Sequence, residues 1–267
     1  MEMRTFVNKQ YYLPLLKEFC NKTISLYENG AYDQGPFIPY VMSNYSDAST
    51  KIMYVGRDTY SWEPFETLHK AYIEGALDKY LDANIRCVTT DIMLKWKNRS
   101  GSFFNMIEKL HLLIRTGKYV SDITAIGEEE KSLLGEIGYG NLYSIELPQT
   151  IRKRYEDKKY QPPKEYEEIC NAAKPFETLK SMIEAYNPDY VFVFTWIDKE
   201  SEFLKGTDFT WQKDWYDDGF RAVYTSKQYH TKLIWTLHPS RFSFLQTSVE
   251  EMCYYLADTY RQLSLLK

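Results

Sequence analysis

KLIWTLHPSRFS, residues 232–243, is the stretch on which the reading of this chain turns. Its first half, Lys232 to Leu237, is a strand-length apolar run. Its second half, His238-Pro239-Ser240-Arg241-Phe242-Ser243, opens with a proline that cannot donate to a sheet ladder. A similar unit stands some 180 residues earlier: Lys51-Ile-Met-Tyr-Val55, then Gly56-Arg57-Asp58-Thr59-Tyr60. In an open parallel α/β sheet the loops that follow the strands share the carboxyl edge, where ligands bind. A carboxylate and an imidazole brought to that edge from opposite ends of the chain would form an acid–base pair suited to a hydrolytic reaction.

Working outward, two more runs read as strands. Tyr139 to Leu147 is one; Tyr190 to Thr195, after the turn Asn187-Pro188-Asp189, is the other, with the aromatic and β-branched content of a strand buried on both faces. Helices are predicted over Lys9 to Tyr27 and over Glu66 to Leu81, the latter weakened by Gly75. A third starts at Ser102, with Phe103, Ile107, Leu110 and Ile114 at three- and four-residue spacing, and stops at Gly117. A fourth covers Glu165 to Tyr186 with an interruption near Pro175, and the last follows a Ser248–Glu251 capping box to about Leu265. Strands separated by helices predict a three-layer α/β/α sandwich around a mainly parallel four-stranded sheet. One domain, 1–267, is expected, with 1–50 as a lead-in packed on it. The charged, proline-broken segment 150–163 reads as a loop or insertion. Residues 200–230, rich in aromatics around Trp211, Trp215 and Tyr216, show no usable period.

Composition narrows the class. Apolar residues at 44% and charged residues at 26% suit a chain that buries a core. The longest apolar stretch, Tyr190 to Ile197, is far short of the roughly 20 residues that span a bilayer. The start, Met1 to Thr5, lacks the pattern of an export signal. The expectation is a soluble, cytoplasmic protein without a membrane partner. Cysteines at 20, 87, 170 and 253 include no tight pair, so no metal and no cofactor are expected. The net charge of −4 argues against a broad basic footprint, although Lys95, Lys97 and Arg99 form one local cluster and Arg152, Lys153, Arg154, Lys158 and Lys159 another. Each cluster also reads as a solvated surface.

Three segments, GRDTY at 56–60, YGNLYSIELP at 139–148 and HPSRFS at 238–243, resemble in order and in strand-then-loop context the motifs of the uracil-DNA glycosylase superfamily, over roughly residues 50 to 265. The resemblance implies roles. Asp58 orients the attacking water and stabilises an oxocarbenium-like sugar; His238 donates a hydrogen bond to the base oxygen where charge accumulates. Asn141 reads a pyrimidine edge, since an amide both donates and accepts. Ser240 and Ser243 hold phosphates flanking the target, Arg241 replaces a proline and adds a phosphate contact, and Phe242 stands where the family inserts an apolar wedge. Tyr60 stands where a ring restricts substituents at carbon 5 of the pyrimidine. Trp62, Phe65 and Phe37 are candidates to stack on a flipped base. Arg57 replaces a glutamine of the base pocket, and Thr59 replaces a proline.

The implied activity is that of a monofunctional DNA glycosylase. It flips a pyrimidine out of DNA, hydrolyses the N-glycosidic bond and leaves an abasic site, with DNA as partner and no obligate protein partner. The base is uracil or an enlarged phage cytosine, hydroxymethylated or glucosylated, the latter pointing to antiviral defence; the rewritten first motif leans toward the larger base. Taken singly, every residue has a structural reading: Asp58 as a cap or turn former, His238 as a structural imidazole, Asn141 in a turn, Phe242 in the core. Two other functions fit the same features. One is a non-catalytic nucleic-acid-binding protein on this fold. The other is a hydrolase of free nucleosides or nucleotides, which the acidic net charge suits.

Overall fold

The computed structural model describes residues 5–28, 36–58, 66–87, 102–145, 164–195, 202–212 and 219–265. In chain order the strands are β1 (Thr5–Phe6), β2 (Tyr40–Met42), β3 (Ile52–Asp58), β4 (Ile137–Tyr143), β5 (Tyr190–Thr195), β6 (Thr210–Trp211), β7 (Arg221–Thr225) and β8 (Lys232–Leu237). They form one sheet in the order β1-β2-β4-β3-β5-β8-β7-β6. The α-helices are α1 (Lys9–Glu28), α2 (Glu66–Ile73), α3 (Leu77–Cys87), α4 (Ser102–Thr116), α5 (Glu128–Leu134), α6 (Lys164–Glu177), α7 (Leu179–Tyr186) and α8 (Val249–Leu265).

The four runs read as strands in the sequence are β3, β4, β5 and β8, and they pair in parallel at the centre of the sheet. The expected mainly parallel four-stranded sheet is nevertheless corrected. Among the described residues the sheet is mixed and eight-stranded, with antiparallel pairs β1–β2, β2–β4, β6–β7 and β7–β8. The lead-in supplies one flank through β1 and β2. The excursion at 200–230 supplies the other through β6 and β7. These added strands are two to five residues long, too short for a two-residue alternation to declare itself.

β5 is buried at all six positions, which is why it reads as an unbroken apolar run. Successive side chains of a strand point to opposite faces. On one face Tyr54 stacks on Phe192 with ring centroids 5.3 Å apart, and Tyr139 meets Phe104 of α4. On the other, Gly140 lets α7 approach: a Cβ there would stand 2.5 Å from the Met182 sulfur. The amino edge is tied by Asp189, whose carboxylate accepts from Lys51 N at 2.7 Å while its carbonyl accepts from Lys232 N at 2.9 Å.

Helix limits follow local chemistry. Gly75, at φ +68°, splits the helix expected over Glu66 to Leu81 into α2 and α3. The interruption near Pro175 falls at Thr178, whose hydroxyl accepts from Ser181 N and starts α7. Ser248 and Glu251 form the reciprocal bonds of a capping box at the head of α8. Cys20, Cys170 and Cys253 are free thiols; burial pushes Cys20 and Cys253 up to about 12.

Candidate functional site

The topology itself marks a switch point. From β3 the chain crosses to β4 on one side, whereas from β5 it moves to β8 on the other. Connections that leave in opposite directions part above the carboxyl ends of adjacent strands, and ligands bind at such a switch point. The residues at this edge are Gly56, Arg57 and Asp58 on β3, Asn141 and Tyr143 on β4, Thr195 on β5, and His238 just after β8.

His238 is held on three sides. Its backbone N–H donates to the Thr195 carbonyl at 2.6 Å, continuing the β5–β8 ladder by one residue. The Thr195 hydroxyl in turn accepts from the buried Trp235 indole at 2.7 Å. The imidazole lies parallel to the Phe103 ring, 5.5 Å between centroids and 7° between planes. Phe103 is braced edge-on by Phe194 at 5.4 Å. Nδ1 stands 2.9 Å from Ser240 Oγ and accepts from Ser240 N at 3.3 Å. A nitrogen that accepts a backbone N–H carries no proton of its own, so the neutral ring holds its hydrogen on Nε2. Burial first, then the charges of Arg57 and Arg241, lower His238 from 6.5 to about 4. At neutral pH the side chain is an uncharged Nε2–H donor, and Nε2 meets no hydrogen-bond partner among the described residues.

The other end of the edge is organised by a missing side chain. A Cβ on Gly56 would lie 2.8 Å from Asn141 Oδ1 and 3.1 Å from the Phe103 ring. Glycine therefore leaves room beside β3 both for the Asn141 amide and for the ring that also stacks on His238. Phe103 joins the two motifs physically. The next residue, Arg57, places its guanidinium carbon 5.6 Å from the Tyr143 ring centroid. Lys174 Nζ lies 6.0 Å from the same ring and bonds Glu177 at 3.0 Å. Glu177 is buried and accepts from both Ser144 N, at 2.9 Å, and Ser144 Oγ, fixing the end of β4.

Of the residues singled out in the sequence, Arg57, Asn141, Ser240, Arg241 and His238 come together at this edge. Asp58 ends β3 with its backbone in register with Tyr143; its side chain is not among the described ones. Tyr60, Trp62, Phe65 and both basic clusters lie outside the described residues. Phe37 is buried beside Tyr40, ring centroids 5.9 Å apart. Phe242 requires a correction. It is 2% exposed and belongs to the core, not to a protruding wedge. Pro239–Leu245 is a 3-10 helix, in which residues three apart eclipse. Pro239 and Phe242 accordingly turn inward, and Ser240 and Ser243 outward. Phe103, Tyr143 and Lys174 were not singled out as site residues. Phe103 fits the core period of α4, and an aromatic on a strand looks the same whether covered or exposed.

Among the described residues, no group of three or more His, Cys, Asp or Glu side chains is placed to hold a metal, and no helix is long and apolar enough to cross a membrane. No known family, curated protein or solved structure matches the chain on comparison.

Proposed function

We propose that the chain is a DNA glycosylase of the uracil-DNA glycosylase type, a three-layer sandwich that extrudes a pyrimidine and hydrolyses its bond to deoxyribose. The observation that carries this reading is His238: neutral at pH 7, its proton on Nε2, its plane set by Phe103 and its Nδ1 occupied by Ser240. As the C1′–N1 bond breaks, its electron pair passes to the base and charge gathers on the ring oxygen. A neutral N–H donor stabilises that oxygen without surrendering its proton. In this reading the Asp58 carboxylate takes a proton from the water that adds to C1′ and stabilises the cationic sugar. Asn141 pairs with the polar edge of the base. The products are the free base and an abasic site.

Arg57 bears on which base is taken. A guanidinium offers a fork of donors, which suits added oxygens on the base. This favours an enlarged, oxygen-bearing cytosine, such as the hydroxymethylated or glucosylated base of phage DNA, over plain uracil, and with it a role in antiviral defence.

Oligonucleotides carrying uracil, hydroxymethylcytosine or glucosylated hydroxymethylcytosine, incubated with the protein and then treated with alkali, test the reading. Strand breaks are expected at a modified base, lost on Asp58→Ala and reduced about 10²–10³-fold on His238→Ala. Salt-sensitive DNA binding without breaks at any base would leave a binding module, and turnover of free nucleosides alone would leave a nucleoside hydrolase.

A further inference from the structure

The same edge carries an aromatic ring with two cations nearby, one of them the Arg57 that also bears on the extruded base. Tyr143 closes β4 and is 47% exposed. Arg57 lies 5.6 Å and Lys174 6.0 Å from its ring centroid. The seat is rigid from beneath, because the neighbouring Ser144 is bound through both backbone and hydroxyl to buried Glu177. Lys174 also bonds Glu177, yet its side chain remains 52% exposed. The register places Tyr143 beside Asp58 on the neighbouring strand, about 4.8 Å away backbone to backbone.

We infer that Tyr143, with Arg57 and Lys174, seats an unpaired nucleotide next to the one extruded: its base stacks on the ring and its phosphates meet the two cations. The inference rests on the glycosylase reading for the polymer it binds. The chemistry selects a nucleotide over other occupants. A neutral sugar uses the ring face and leaves the cations idle; a carboxylate uses the cations and leaves the ring idle. A nucleotide uses both, and base–aromatic stacking beside cationic side chains is how single-stranded nucleic acid is commonly held. A base stacked within a duplex has no free face to offer, so the neighbouring nucleotide must be unpaired while it occupies this seat.

The test uses the full chain and a single-stranded oligothymidylate holding one hydroxymethylcytosine with a 2-aminopurine, whose fluorescence falls on stacking, as its neighbour. Wild-type protein is expected to bind it and quench the probe. Tyr143→Ala should weaken binding about tenfold and abolish the quench, while Tyr143→Phe keeps both. Lys174→Gln should weaken binding a few-fold and lower the salt slope by about one. Thermal melting of each variant checks folding, and Tyr143→Leu, which keeps bulk but offers no aromatic face, keeps the test decisive if the alanine variant is unstable. The inference is overturned if wild type does not bind the oligonucleotide, or if Tyr143→Ala binds and quenches as wild type does. Quenching that depends on Tyr143 in a protein that excises no base sinks the glycosylase proposal and spares this one. Intact excision with an indifferent Tyr143 does the reverse.

Discussion

The two ends of the central strands treat a histidine in opposite ways. At the amino edge His111 is fully buried, and both ring nitrogens are engaged, Nδ1 with the Tyr54 hydroxyl at 3.2 Å and Nε2 with Arg115 Nε at 3.4 Å. Arg115 continues the network to Glu136 at 2.8 Å and to the Thr50 carbonyl. At the carboxyl edge His238 has one nitrogen engaged by Ser240 and the other unused within the described residues. Burial lowers both rings, His111 to about 3 and His238 to about 4. A depressed imidazole is therefore no mark of function in this molecule. What separates the two is whether a donor is left over for a ligand.

The sharpest way to break this contrast is to delete each ring. Under the glycosylase proposal, His238→Ala lowers kcat about 10²–10³-fold and leaves the urea midpoint within error. His111→Leu does the opposite, costing roughly 2–3 kcal/mol through the stranded Tyr54 and Arg115 groups while the surviving folded protein keeps its kcat. Parallel excision assays and urea titrations of both variants decide it. Equal effects of the two substitutions on rate would erase the distinction.

A smaller effect sharpens the electrostatics. A histidine whose folded value lies below its unfolded 6.5 contributes no instability above that pH. Below it the unfolded chain takes up a proton that the folded chain refuses, so stability falls as pH drops toward the folded value. Each ring adds up to about 1.4 kcal/mol per pH unit to that slope. Urea titrations between pH 7 and 5 should show the decline, to which the buried His69 also contributes, and His111→Leu should flatten it. An unchanged slope in that variant would refute the assignment.

Smaller still are the changes at the contact joining the motifs. Gly56→Ala pushes on Asn141 Oδ1 and the Phe103 ring; about tenfold lower kcat/KM is expected, with little change in melting temperature. Phe103→Leu removes the flat cover over His238. NMR titration of the imidazole should find its pKa moved up toward 6.5, with any acid limb of activity set by His238 moving the same way. A His238 titration identical to wild type would show that Phe103 has no hold on the ring.

The central strands were legible because each is a short apolar run bounded by turn residues. Their limits were less so: β4 begins at Ile137, before the expected Tyr139, and ends at Tyr143 rather than Leu147. The flanking pairs were invisible because their stability comes from long-range pairing, as in Thr5 opposite Met42, and not from local pattern. At the site, the placement of His238 just after a strand and of Asn141 within one could be read, but the contacts of Phe103 with Gly56 and His238 could not, since that residue also fits the core period of its helix. Phe242 misled because a motif alignment carries no phase. Only the three-residue repeat of the 3-10 turn says which of its side chains faces inward.

Finally, the antiparallel additions change how the molecule meets its own copies. A parallel quartet ending in β4 and β8 would present two long open ladders, ready templates for sheet-to-sheet growth. Among the described residues the outermost strands are β1 and β6, two residues each. Two-residue strands at the rim give an incoming strand less to pair with than the long central strands would.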